Sequence, residues 1–208
     1  MPSTKSFDKV FLALKHNGFL MLSDATLPSI SNIITGEKIN GSWWGHPAGN
    51  EIFNCSSEVD DHKDVISSKL INGKVTFIHR SMWTALLGVV SMRQPWQTKL
   101  LSPAAKKILL KTARKSMLRA SDIVEIVGME SKERSAAISE LEKKLLVHSF
   151  QIHTESGKHE RVLQSWDSLI GERFNKKKLL TPRAGIEAIE KKVSAALGQR
   201  AVKIKYPW

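Results

Sequence analysis

Trp43, Trp44, His46 and Glu51 fall within one nine-residue stretch, "WWGHPAGNE". A histidine and a carboxylate can act as an acid/base pair, and a carboxyl group desolvated by aromatic neighbours holds its proton more tightly than in water. Two adjacent tryptophans offer a different chemistry, because base stacking on an aromatic ring is worth about 1–3 kcal/mol per base. Neighbouring side chains of an extended segment point to opposite sides. One tryptophan is therefore expected in a core and the other at a surface. A third reading is structural, with Trp-Gly-His-Pro as a rigid corner leading into a helix. This corner is the leading expectation, ahead of a binding platform and of catalysis by His46 and Glu51.

A second polar cluster lies in "FIHRSMW", residues 77–83. Arg80 could hold a phosphate or pair with an acidic side chain, and pairing is expected. Cys55 is the lone cysteine, so neither an intramolecular disulfide nor a thiolate zinc cluster can form. The chain has no phosphate loop, serine nucleophile elbow, HExxH pair or EF-hand spacing. No metal and no cofactor is expected.

The charge is more informative. The 208 residues carry 32 Lys+Arg against 20 Asp+Glu, a net charge of +12. Residues 1–100 hold 10 basic and 8 acidic side chains, whereas residues 101–208 hold 22 and 12. A near-neutral half joined to a strongly basic half implies a polyanionic partner for the second, and counterion release makes nucleic acid the natural one. The N-terminus carries charge throughout, unlike a signal peptide, and no apolar run approaches the ~20 residues of a membrane helix. A cytoplasmic location follows as an expectation, on the nucleoid if the source is bacterial.

Elements to position these groups can be read from periodicity. Phe7, Val10, Phe11 and Leu14 make one helix face, with Ser6 as cap and Gly18 as stop. A short helix is predicted at "LPSISNIITG", and another through the stripe Ile52, Cys55 and Val59. Asn72-Gly73 between alternating apolar runs predicts a hairpin with a type I′ turn. A helix with Met82, Leu86, Val89 and Val90 inward should follow.

After a proline-punctuated stretch the order recurs. The predicted elements are a helix with Ile108, Leu109 and Ala113 inward, then a short helix capped by Ser121 and ended by Gly128. A third helix is capped by Ser131, with Ala137, Ile138, Leu141, Leu145 and Leu146 on its apolar face, and a hairpin turns across residues 155–158. The reading is a mainly α chain with small β-hairpins (α+β), built from tandem units plus a C-terminal helix. The boundaries expected are 1–98, 99–170 and 171–208.

Residues 104–166 resemble the winged helix-turn-helix family, and residues 6–79 a looser version of it. That resemblance implies a third helix in the major groove. Lys132, Arg134, Ser135, Ser139 and Lys143 are its outward candidates, with Glu133, Glu140 and Glu142 diluting the charge. The wing would add Lys158, His159 and Arg161, and the run Lys176, Lys177 and Lys178 would extend the footprint. A stripe of Ile186, Ile189, Val193 and Leu197 on the last helix must bury against the basic unit, a second copy of the chain or a protein partner. The final "QRAVKIKYPW" reads as either a strand or a basic tail.

"LPSISNIITGEKINGSWWGHPAGNEIF" and "KLINGKVTFIHRSMWTALL" together resemble the AlkZ-related proteins over residues 7–100. To the AlkZ-like DNA glycosylases, tandem winged helices that remove bulky alkylated bases, the likeness is architectural. Those enzymes carry a glutamine paired with glutamine or aspartate one residue apart. Here Gln94 and Gln97 have the wrong spacing, so no catalytic residue carries over. The leading reading is a double-stranded DNA-binding protein of repair or regulation. The alternatives are a base-excision enzyme and a winged-helix protein-interaction module.

Overall fold

The computed structural model describes residues 5–153, 159–174 and 178–208. Helix α1 (Phe7–Asn17) ends where Gly18, at φ 77°, returns its N–H to the Leu14 carbonyl. Strand β1 (Phe19–Met21), helix α2 (Ile30–Thr35), a 3₁₀ turn at Trp43–Gly45 and helix α3 (Gly49–Asp60) follow. Ile52, Cys55 and Val59 are fully buried along α3, as their spacing predicts. Strands β2 (Val65–Ile71) and β3 (Lys74–His79) form the expected hairpin. Asn72 and Gly73 both take positive φ, 54° and 66°, which matches the strand twist.

Helices α4 (Trp83–Val90) and α5 (Pro95–Thr98) lead to a second unit with the same order of elements. It comprises α6 (Pro103–Lys115), β4 (Met117–Arg119), α7 (Ala120–Val127), α8 (Ser131–Lys143), β5 (His148–His153) and β6 (His159–Gln164). The two sheets have the same antiparallel arrangement, β1-β3-β2 and β4-β6-β5, with the last strand in the centre. Helices α9 (Trp166–Arg173) and α10 (Pro182–Leu197) complete the fold.

Several local expectations are corrected. Ser6 precedes α1, but its hydroxyl donates to Glu51 and caps nothing. Arg119 and Glu130, in extended conformation, occupy the cap positions assigned to Ser121 and Ser131. Both serines lie inside their helices, and Ser121 donates its hydroxyl to Glu160 on β6. Ala113 is exposed, and Ala104, Ala105, Ile108 and Thr112 form the inner face of α6. The last ten residues form no strand.

The α10 stripe finds its cover within the same chain, on α4 and in a cluster that includes Leu145 and Trp166 of the basic unit. It lies along α4, where two glycines allow close approach. A Cβ built on Gly185 would stand 2.6 Å from the Ala85 carbonyl oxygen, and one on Gly88 would strike the Leu180 carbonyl. The tail beyond α10 then docks on the first hairpin. Asn72 donates its N–H to the Lys205 carbonyl at 2.8 Å and accepts the Lys205 N–H at 2.9 Å. Trp208 donates to Glu190 at 2.8 Å and meets Trp96 edge-on. The largest core cluster accordingly joins Phe19, Ile66 and Leu86 to Leu145, Trp166, Ile189 and Val193.

Candidate nucleic-acid interface

Helix α8 turns Ala137, Ile138 and Leu141 into the core, which directs its N-terminal half outward. Lys132, Ser135 and Lys143 are exposed, and Arg134 and Ser139 are half-buried. Among the described residues no carboxylate pairs with Lys132 or Arg134. Of the acidic residues expected to dilute this face, Glu133 stays exposed in the first turn between Lys132 and Arg134, whereas the other two are engaged elsewhere. Glu140 accepts the N–H and hydroxyl of Ser102 at the start of α6. Glu142 is only 5% exposed and is held by Lys69, Ser149 and, at 3.5 Å, Arg161. Arg161 therefore belongs partly to the junction between the units. Lys178 is exposed, whereas Lys158, Lys176 and Lys177 lie outside the described residues, as does the side chain of His159.

The strongest uncompensated charge is on α6, which sequence reasoning treated only as a core helix. Lys106, Lys107, Arg114 and Lys115 are exposed and Lys111 is half-buried, all away from the inner face. None of the five is in an ion pair among the described residues. A signal was present in the chain. Between Asp64 and Asp122 there is no carboxylate side chain, but there are eleven lysines and arginines. Such a one-signed surface focuses a positive potential toward solvent.

The tryptophan segment is a turn leading into α3, but its two rings do not diverge as expected. Because residues 43–45 form a 3₁₀ turn and not an extended chain, the two rings lie on the same side, stacked 4.2 Å apart at 23°. Trp44 rests near Phe53 and is 61% exposed. Trp43 forms one wall of an open groove of about 600 Å³ against the β2–β3 turn. His46 and Glu51 are not partners. The His46 Nε2 is 3.2 Å from Glu37, and its Nδ1 accepts the Ala48 N–H. Glu51 accepts the Ser6 hydroxyl at 2.5 Å. The turn that brings the tryptophans together separates the expected acid/base pair, tying each member to a different element. Arg80 pairs with Asp64 at 3.1 Å, the structural role expected of it. Burial lowers the pKa of the adjacent His79, whose Nδ1 meets Ser81.

A model of the AlkZ-related family matches residues 4–203, well beyond the 7–100 of the sequence resemblance. The chain belongs to the AlkZ-related family. Its fold is similar to that of the DNA glycosylase AlkZ of Streptomyces sahachiroi, with 12% identity and a TM-score of 0.50 over 89% of this chain and 50% of that one. The AlkZ-related chain thus spans about half the length of that structure, and the likeness is one of fold. No curated protein matches it in sequence.

In this AlkZ-related chain the two linker glutamines serve structure. Gln97 is fully buried, accepts the Gln94 N–H at 2.7 Å, and donates to the carbonyls of Lys144 and Leu145. It is a strut between the linker and the end of α8. No helix among the described residues is long and apolar enough to cross a membrane.

Proposed function

We propose that this AlkZ-related chain binds double-stranded DNA in a repair or regulatory context, acting in the cytoplasm or on the nucleoid. Residues 99–170 act as a winged helix-turn-helix. The N-terminal half of α8 meets the major groove, with Lys132 and Arg134 on phosphates and Ser135 and Ser139 near base edges. Lys143, Lys158, His159 and Lys176 to Lys178 extend the contact along the backbone. Residues 1–98 form the companion unit, braced by α10.

The observation that carries the reading is the set of cations on α6 and the N-terminal half of α8 that have no ion pair among the described residues, concentrated in one unit. Phosphate neutralisation by such groups supplies affinity independent of sequence. The fold likeness to a protein named as a DNA glycosylase points the same way. Base excision has less support, because His46 and Glu51 are engaged separately.

Anisotropy of a fluorescent duplex across a salt series tests the reading. The expected result is micromolar or tighter binding at low salt, with log K falling linearly in log salt at a slope of about −0.9 per phosphate contact. Absence of binding at low salt would overturn it.

A further inference from the structure

We propose that the groove between Trp43 and the β2–β3 turn receives a single unpaired nucleotide of a DNA strand, its base against the Trp43 wall and its phosphate at Lys74. This rests on the DNA-binding reading above and names the ligand of a second site. The groove's volume, about 600 Å³, falls among those of small-molecule sites, which run from roughly 300 to 1,000 Å³. Its lining includes the apolar Leu22, Ile39, Trp43 and Val75 and the polar Asp24, Asn40, Lys69 and Lys74. Apolar surface on one side with polar groups converging from the other is a composition that orients a planar ring.

The aromatic wall is backed. Trp44 stacks on Trp43, and Phe53 lies 5.5 Å from Trp44, so a base would extend a ladder of rings already built. Stacking of this kind tolerates any base, since each has a π-face. The amide of Asn40 supplies both a donor and an acceptor for a base edge.

Charge favours an anionic ligand. Asp24 is fixed by the Thr26 N–H and hydroxyl and by the Leu27 N–H, and it positions Lys74 at 2.9 Å. Lys74 keeps 54% of its side chain exposed, with donors to spare. Lys69 meets Glu142, which Arg161 shares. Among the groove's lining residues Lys69 and Lys74 stand against the one carboxylate of Asp24, and one phosphate charge would balance the set. Lys69 also touches α8 through Glu142, which places the groove beside the unit proposed to hold duplex. The groove is open to solvent, as a nucleotide still attached to its strand requires.

The test compares two duplexes of one sequence, fully paired or carrying a single bulged thymidine. The full chain should bind the bulged duplex roughly tenfold more tightly. Trp43→Ala should abolish that preference while leaving the paired duplex bound as before. Trp43→Phe, which keeps a ring and the packing, should retain part of it, and Asn40→Ala on the exposed rim should reduce it. Equal affinity of the wild type for both duplexes overturns the groove proposal and leaves the DNA reading standing. Failure to bind either duplex at low salt falls on the DNA reading instead, and thymidine monophosphate then decides the groove. Tryptophan quenching that disappears in Trp43→Ala would keep the site as one for a free nucleotide, and no quenching would overturn it.

Discussion

Lys69 on β2 and Glu142 on α8 face each other across the junction of the two units, ammonium nitrogen 2.6 Å from carboxylate oxygen. Glu142 is buried, and its other oxygen accepts the Ser149 hydroxyl at 2.6 Å. Removing one member of a buried pair strands its partner, whereas replacing both can be nearly neutral. Glu142→Ala should destabilise the protein by about 2–3 kcal/mol, somewhat below the fully buried case because Arg161 stays partly hydrated. Lys69→Met with Glu142→Leu should recover much of that loss. Denaturant midpoints check both, and an unchanged midpoint for Glu142→Ala would mean that the pair does not tie the units together.

The cations of α6 and α8 should act on binding through charge alone. Lys132→Ala with Arg134→Ala is expected to weaken binding to unrelated duplex sequences alike. The same variant should flatten the salt dependence by roughly one unit for each phosphate no longer neutralised. Lys106→Gln, Lys107→Gln and Lys111→Gln together should do the same if α6 lies along the backbone. A salt slope unmoved by the triple variant would assign its charge to solubility.

Acid should weaken the fold in two separate windows. Burial lowers the pKa of His148 from 6.5 to about 4, with Arg173 adding to the effect and a Gln164 hydrogen bond opposing it. The unfolded chain then binds a proton that the folded one refuses, so stability present above pH 6.5 is lost as pH falls toward 4, by about 3 kcal/mol. At Asp24, burial raises the pKa, but the Lys74 ammonium and the Thr26 and Leu27 donors outweigh it, holding it at about 2. Its contribution is present above the unfolded value near 3.8 and is lost as pH falls toward 2, by about 1–2 kcal/mol given the hydration of Lys74. Unfolding free energies of His148→Phe and Asp24→Asn against pH should each lack one window. Profiles parallel to wild type would refute the assignments.

Gly185 on α10 meets the α4 backbone at Ala85, and Gly88 on α4 meets the Leu180 backbone just ahead of α10, so side chains at either glycine have nowhere to go. Gly185→Val should cost about 3 kcal/mol, the upper range for overpacking, because a carbonyl stands where the new Cβ must sit. Thermal melts would show it. Full stability would mean that the helices can separate freely.

Local chemistry carried most of the elements. Gly18 ends α1 and Asn72-Gly73 turns the hairpin through conformations that any context would favour, and the spacing of Ile52, Cys55 and Val59 shows the buried face of α3 directly. The misplaced caps have a common cause. Ser121 and Ser131 are good capping residues, but each helix starts one residue earlier or at the serine itself, from extended Arg119 and Glu130. The partner of α10 was hidden because small residues far apart in the chain, Gly88 and Gly185, decide it, and periodicity shows only that a stripe needs cover. The tryptophan segment was opaque for a similar reason. Adjacent tryptophans diverge in a strand and converge in a 3₁₀ turn, and nothing within "SWWGH" announces which. The α6 cations were legible as an acid-free run, but the apolar positions of their helix drew the reading toward the core.

The docking of α10 on α4 and of Lys205 on Asn72 also sets an order of events during synthesis. The first unit leaves the ribosome with the apolar face of α4 bare, and the segment that covers it is translated about a hundred residues later. At 5–20 residues per second that is an interval on the order of ten seconds. Throughout it the α4 side chains that α10 covers, Leu86 and Val89 among them, lack that cover, so this apolar seam closes only after α10 has been made.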